Sequence, residues 1–152
     1  MPRGAQPLKV LIADDSEGIR EVIRGVVESH DGWGVCGYAK DGAEAVRKSA
    51  ELQPDIVLLD LAMPVLDGFH AAQQIVARNP EVIVVMVTQH CSTSLRAEAL
   101  KFGIHEVINK CDAVEYLVRT IADVANAHGK GRGAIAGGWS GRVPQERDRS
   151  NP

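Results

Sequence analysis

"DIVLLDLAMPVLDG", residues 55–68, runs from an apolar strand straight into a carboxylate and then breaks. Ile56 to Leu59 are four consecutive large aliphatic side chains, the composition of a strand covered on both faces. Asp60 follows with no polar spacer. Ala62-Met63-Pro64 then stops the strand, and Asp67-Gly68 predicts a turn. A buried strand that delivers a bare aspartate to its tip calls for partners around that tip.

Four other apolar runs recur at regular spacing: "LKVLIAD" (8–14), "WGVCGYA" (33–39), "EVIVVMVT" (81–88) and "HEVIN" (105–109). Helical periodicity lies between and after them. Ile19, Val22, Ile23, Val26, Val27 and His30 fall on one helical face, as do Val114, Leu117, Val118, Ile121, Ala122 and Ala125. Segments 42–52, 69–78 and 93–102 are weaker helical candidates. The alternation predicts an α/β fold, a doubly wound (βα)5 unit with a five-stranded parallel sheet and helices on both faces. Right-handed crossovers then bring all strand C-termini to one edge, where such sheets bind ligands.

The chain has 152 residues, suited to one domain, and is 45% hydrophobic and 4% aromatic. Residues 1–7 read as an N-terminal extension, 8–128 as the domain and 129–152 as a Gly-rich basic flexible tail with six glycines and two prolines. Residues 1–128 carry 12 Lys/Arg against 18 Asp/Glu, and the tail carries 5 against 2. The acidic body lacks the basic footprint of a nucleic-acid binder, so no direct DNA binding is expected. The longest apolar run, Val82 to Val87, is too short to span a membrane, and the N-terminus has no secretory h-region. Cys36, Cys91 and Cys111 form no metal spacing and read as reduced thiols of a cytoplasmic protein.

The strand tips carry the chemistry. The first run ends in Asp14-Asp15, the third in Asp60, the fourth in Thr88 and the fifth in Asn109-Lys110. Three carboxylates, a hydroxyl and an ammonium converge on one crevice. Three ionised carboxylates together need a compensating cation, and a hard divalent ion such as Mg²⁺ suits oxygen ligands. Asp15 and Asp60 are candidate direct ligands, the Ala62 backbone carbonyl a third, and Asp14 a holder of a metal-bound water. Asp60 is then a candidate nucleophile toward phosphorus, with Lys110 and Thr88 as donors to the phosphoryl oxygens. Asp14-Asp15 ahead of "SEGIR" also fits a helix cap, and Thr88 and Lys110 taken singly fit a plain strand residue and a solvated lysine. All five on strand tips of one sheet point to a site.

"LIADDSEGIREVI", "PDIVLLDLAMPVLDG", "VVMVTQH" and "INK" resemble the response-regulator receiver domain of two-component signalling, over about residues 7–128. The resemblance implies that Asp60 accepts a phosphoryl group from a sensor histidine kinase or phosphotransfer protein. It implies that Asp14 and Asp15 bind Mg²⁺, that Thr88 is the switch hydroxyl and that Lys110 contacts the phosphoryl group. The sequence departs from the family at Val107, where an aromatic switch residue is usual, at Gln89, where a small residue is usual, and at Cys111, where proline is common. "NKCDAVEYLVRTIADVANAHG" is similar to receivers joined to a helix-turn-helix output. Such an output needs on the order of 60 residues, more than follow the domain here.

The expected function is therefore a stand-alone receiver, not an enzyme beyond its own phosphorylation and dephosphorylation. It would signal by protein–protein contact to an unknown downstream protein, as a monomer or a phosphorylation-dependent homodimer. Two rivals stand beside it: a receiver-like binding module with weak or no phosphorylation, and an aspartyl-phosphate phosphatase. The phosphatase pattern places DxD after the first strand, and here Ser16 or Glu17 stands at its third position. His90 lies near the crevice as a candidate modulator of hydrolysis or a plain surface residue. Trp33 is expected to pack at a strand start, and Trp139 is a candidate contact residue in the tail.

Overall fold

In a computed structural model, the structure describes residues 7–89 and 91–127. The tail, Trp139 and His90 lie outside the described residues. Five strands and five helices alternate: β1 (Leu8–Ala13), α1 (Glu17–Glu28), β2 (Trp33–Ala39), α2 (Gly42–Leu52), β3 (Ile56–Leu59), α3 (Gly68–Arg78), β4 (Ile83–Thr88), α4 (Thr93–Lys101), β5 (Glu106–Asn109) and α5 (Ala113–Ala127). A 3₁₀ turn, Lys110–Asp112, joins β5 to α5. The sheet is parallel throughout in the order β2-β1-β3-β4-β5, so the topological switch falls between β1 and β3.

Alternation along the central strands divides the core. Leu11, Ala13, Val57, Leu59, Val84 and Met86 face α2, α3 and α4, together with Ala45, Ala71, Ile75 and Ala99. Val10, Ile12, Ile56, Leu58, Val85 and Val87 face α1 and α5, with Ile23, Val27, Leu117 and Ile121. Burial on both faces is why these strands read as continuous aliphatic runs. Trp33 opens β2, packs against the second cluster and stacks on His30 at 3.7 Å. All three cysteines are free, and Cys36 is the extra residue of a bulge in β2.

Short polar side chains start α1 to α4. Ser16, Asp41, Asp67 and Ser92 each accept a hydrogen bond from the backbone N–H three residues on, satisfying a donor that the first helical turn leaves unpaired. The Asp67-Gly68 turn expected from sequence is thus the cap and first residue of α3. Ser16, not the acidic pair, caps α1, so the capping alternative for Asp14-Asp15 fails.

His105 has a role that its sequence context does not show. Its N–H donates to the Val84 carbonyl at 2.7 Å, and its ring Nδ1 accepts the Val84 N–H at 3.1 Å. The ring extends the β4–β5 ladder by one rung, with the imidazole proton on Nε2. His105→Ala removes the acceptor of an N–H on a fully buried residue. It should cost about 1–3 kcal/mol, read from urea denaturation at neutral pH.

Candidate functional site

The sheet ladder places the acidic groups. The Asp14 N–H donates to the Ala39 carbonyl at 3.0 Å and the Asp60 N–H to the Ala13 carbonyl at 2.9 Å. Each bond carries the ladder one residue beyond its strand, so both aspartates stand on fixed backbone at adjacent strand tips. Asp14 Oδ1 then accepts the Ser16 N–H at 2.9 Å, and the Arg20 guanidinium donates to the Asp14 carbonyl at 2.8 Å. Arg20 was not singled out by its sequence context. Its signal is a cation in the first turn of α1, placed to reach back to the strand tip.

Asp14 and Asp60 are 1% and 5% exposed, whereas Asp15 is open to solvent. Oxygens of the three carboxylates all lie within 4.8 Å of one another. Lys110 Nζ sits 2.9 Å from Asp14 Oδ2 and 3.4 Å from Asp60 Oδ2. Lys110 thus pairs by charge with both buried carboxylates. Burial, followed by the Asp14 charge, pushes the Asp60 carboxyl above the usual aspartate range, with Lys110 opposing. Burial works against the Lys110 ammonium, but Asp14 and Asp60 outweigh it and hold its pKa above the ordinary lysine value.

Three carboxylates and one ammonium leave two negative charges uncompensated within a few ångströms. An all-oxygen donor set with that deficit fits a hard divalent cation such as Mg²⁺. Asp15 is exposed, forms no ion pair among the described residues, and faces the solvent side.

Thr88 closes β4, 4% exposed, and its register partner is Asn109 at the end of β5. Lys110 follows directly. Val107 is 3% exposed, pairs in register with Met86 and packs among Ala99 and Ile104 on the α4 side. Gln89 is exposed.

The loop after Asp60 is held tightly. The Gly68 N–H donates to the Leu61 carbonyl at 2.8 Å, and a Cβ at Gly68 would collide with the Asp60 carbonyl oxygen. A Cβ at Gly42 would likewise overlap the Leu66 carbonyl oxygen. Between these glycines the Leu66 N–H reaches back to the Pro64 carbonyl at 2.7 Å, with Val65 at φ 71. That left-handed conformation strains a β-branched residue by roughly 1–3 kcal/mol. Met63 is buried in the core and anchors the loop, and the Ala62 N–H faces the Asp60 carboxylate.

Residues 10–122 match the response regulator receiver domain. The chain belongs to that family. Among relatives of this receiver, protein-glutamate methylesterase/protein-glutamine glutaminase 5 of Myxococcus xanthus is 41% identical over 110 residues, covering 71% of this chain and 31% of that protein. The chemotaxis protein CheY of Listeria monocytogenes is 39% identical over 103 residues, 68% of this chain and 86% of that one. The response regulator domain of Thermotoga maritima CheB superposes with a TM-score of 0.74 at 31% identity, covering 80% of this chain and 98% of that one. The receiver spans about a third of the length of the methylesterase relatives it matches. Among the described residues, no helix is long and apolar enough to cross a membrane.

Proposed function

We propose that this receiver is phosphorylated on Asp60 by a sensor histidine kinase or phosphotransfer protein, in the cytoplasm, and signals by protein–protein contact. The observation that carries the reading is the buried Asp60 carboxylate, held between Asp14 and the Lys110 ammonium at the sheet's switch point. An Asp60 oxygen attacks the phosphorus of the donor. The new Asp60–phosphorus bond forms as the bond to the donor's leaving group breaks, giving an acyl phosphate. Asp15, Asp60 and the Ala62 carbonyl would hold Mg²⁺ directly and Asp14 would hold it through water. When bound, the ion supplies the positive charge that lets a phosphoryl group approach three carboxylates. Lys110 is within reach of a phosphoryl oxygen on Asp60 and exchanges a carboxylate contact for it. Thr88 donates its hydroxyl to another.

Incubation with acetyl phosphate and Mg²⁺ should add about 80 Da to the intact mass, one phosphoryl group. A chain that stays unmodified under those conditions would remove the reading in favour of a binding module.

The output route should run through Thr88. Val107 has no ring to swing, few rotamers and a filled core around it. A charge-assisted hydrogen bond from the Thr88 hydroxyl contributes about 1.5–3 kcal/mol, enough to bias a two-state equilibrium roughly tenfold or more. Thr88→Ala should abolish the backbone amide shifts that beryllofluoride induces in the loop after β4. Val107→Ala should keep them and lose about 2 kcal/mol of stability to the cavity. Shifts that survive Thr88→Ala and vanish with Val107→Ala would reverse the assignment.

A further inference from the structure

We propose that Asn109 is a positioning residue that aims the Lys110 ammonium at Asp14 and Asp60. Its consequence for phosphorylation rests on the reading above, while its consequence for the ammonium does not. Asn109 ends β5 opposite Thr88, with φ −76 and ψ 134. Its side-chain Oδ1 accepts the Cys111 N–H at 2.8 Å. One step further, the Ala113 N–H donates to the Lys110 carbonyl. These two bonds bracket Lys110 and convert the chain from strand to 3₁₀ turn at that residue.

The bracket matters because lysine is a flexible stem that carries a strongly hydrated point charge. Its ammonium stays between two carboxylates, with the side chain only 13% exposed, because the Cα is held and the alternatives are few. Cys111 itself is exposed. Water therefore replaces the Asn109 oxygen when that side chain is truncated, and folding stability changes little. What is lost is the direction in which Lys110 leaves the strand. Displacement of a charged donor by about 1 Å slows a positioned reaction by up to about a hundredfold. Serine at 109 offers a hydroxyl that caps the same kind of turn.

The 152-residue chain tests this with Asn109→Ala and Asn109→Ser. The first readout, without phosphodonor, is the ¹⁵N resonance of the Lys110 ammonium, sharp when two carboxylates hold it. The wild type and Asn109→Ser should show it, and Asn109→Ala should lose it. The second readout is labelling by acetyl phosphate and Mg²⁺. Asn109→Ala should be slower by about tenfold, with Mg²⁺ affinity unchanged and Asn109→Ser restored to near the wild-type rate. Where the wild type is labelled, an alanine variant at the wild-type rate, or a serine variant as slow as alanine, overturns the proposal. Where the wild type takes no label, the functional reading falls and the ammonium resonance alone decides the role of Asn109.

Discussion

Asp60→Asn should take no phosphoryl group from acetyl phosphate and Mg²⁺, and at pH 7 without metal it should melt higher than the wild type. The first half follows from chemistry, because an amide has no anionic oxygen to attack phosphorus. The second half follows from the surroundings of the carboxylate. Burial and the neighbouring Asp14 disfavour its charged form in the fold, raising its pKa. A carboxyl whose folded pKa is raised contributes its full stability below the unfolded pKa, and that contribution is lost as pH rises through the folded pKa. The melting gap between Asp60→Asn and wild type should therefore be small at acid pH. It should open as pH climbs from the ordinary aspartate range to neutrality. Each kcal/mol of strain relieved corresponds to about 4–8 °C in a small domain. Added Mg²⁺ should close the gap by stabilising the wild type more than the variant, which lacks one of the carboxylates proposed to hold the ion. Intact mass and thermal melts across pH decide both halves. A labelled variant, or one that melts lower than wild type at pH 7, would contradict the account of this site.

Gly68→Ala should disable the same site without touching any charged group. The added methyl collides with the Asp60 carbonyl and comes within 2.8 Å of Leu61 Cα. These are backbone atoms and have no rotamer to yield. Either α3 moves away or the Asp60 peptide shifts, and both displace the carboxylate from Lys110 and Asp14. Overpacking of this kind costs about 1–3 kcal/mol, roughly 10 °C in melting temperature. Labelling should fall by one to two orders of magnitude, on the order expected for about 1 Å of misplacement. Gly25→Ala in α1 is the control. Its Cβ meets nothing within 4 Å, so it should gain about 0.5–1 kcal/mol from helix propensity and label normally. Normal labelling by Gly68→Ala would mean that the loop relaxes without moving Asp60.

Much of the site could be read from the chain because the strand tips are local features. Asp14, Asp15, Asp60, Thr88 and Lys110 each follow an aliphatic run, and parallel topology puts every such end on one edge. The boundaries were less legible. Asp14, Asp60 and Lys110 lie one residue past their strands, held by ladder bonds, a cap or a turn that no periodicity reports. The roles of Arg20, Asn109 and His105 were not legible for the same reason. Their partners are backbone groups, the carbonyl of Asp14 and the N–H groups of Cys111 and Val84, and backbone leaves no trace in the pattern of side chains.

The sequence by itself determined the fold class and which charged groups stand at the ends of the strands. Five short apolar runs alternating with helical periodicity admit few other arrangements, and three aspartates with a lysine at run ends fix the charge balance. Only the tertiary structure decided the electrostatic state of those groups. Burial of Asp14 and Asp60, against the exposure of Asp15, depends on neighbouring strands far apart in the chain, as does the placement of one ammonium between two carboxylates. Desolvation and Coulomb attraction both turn on distances of a few ångströms, which residue order does not specify. The same holds for Gly42 and Gly68. Gly68 reads as a turn residue in sequence and Gly42 as the start of a weak helical segment, yet each is required by a carbonyl oxygen that the fold brings into the space of a missing side chain.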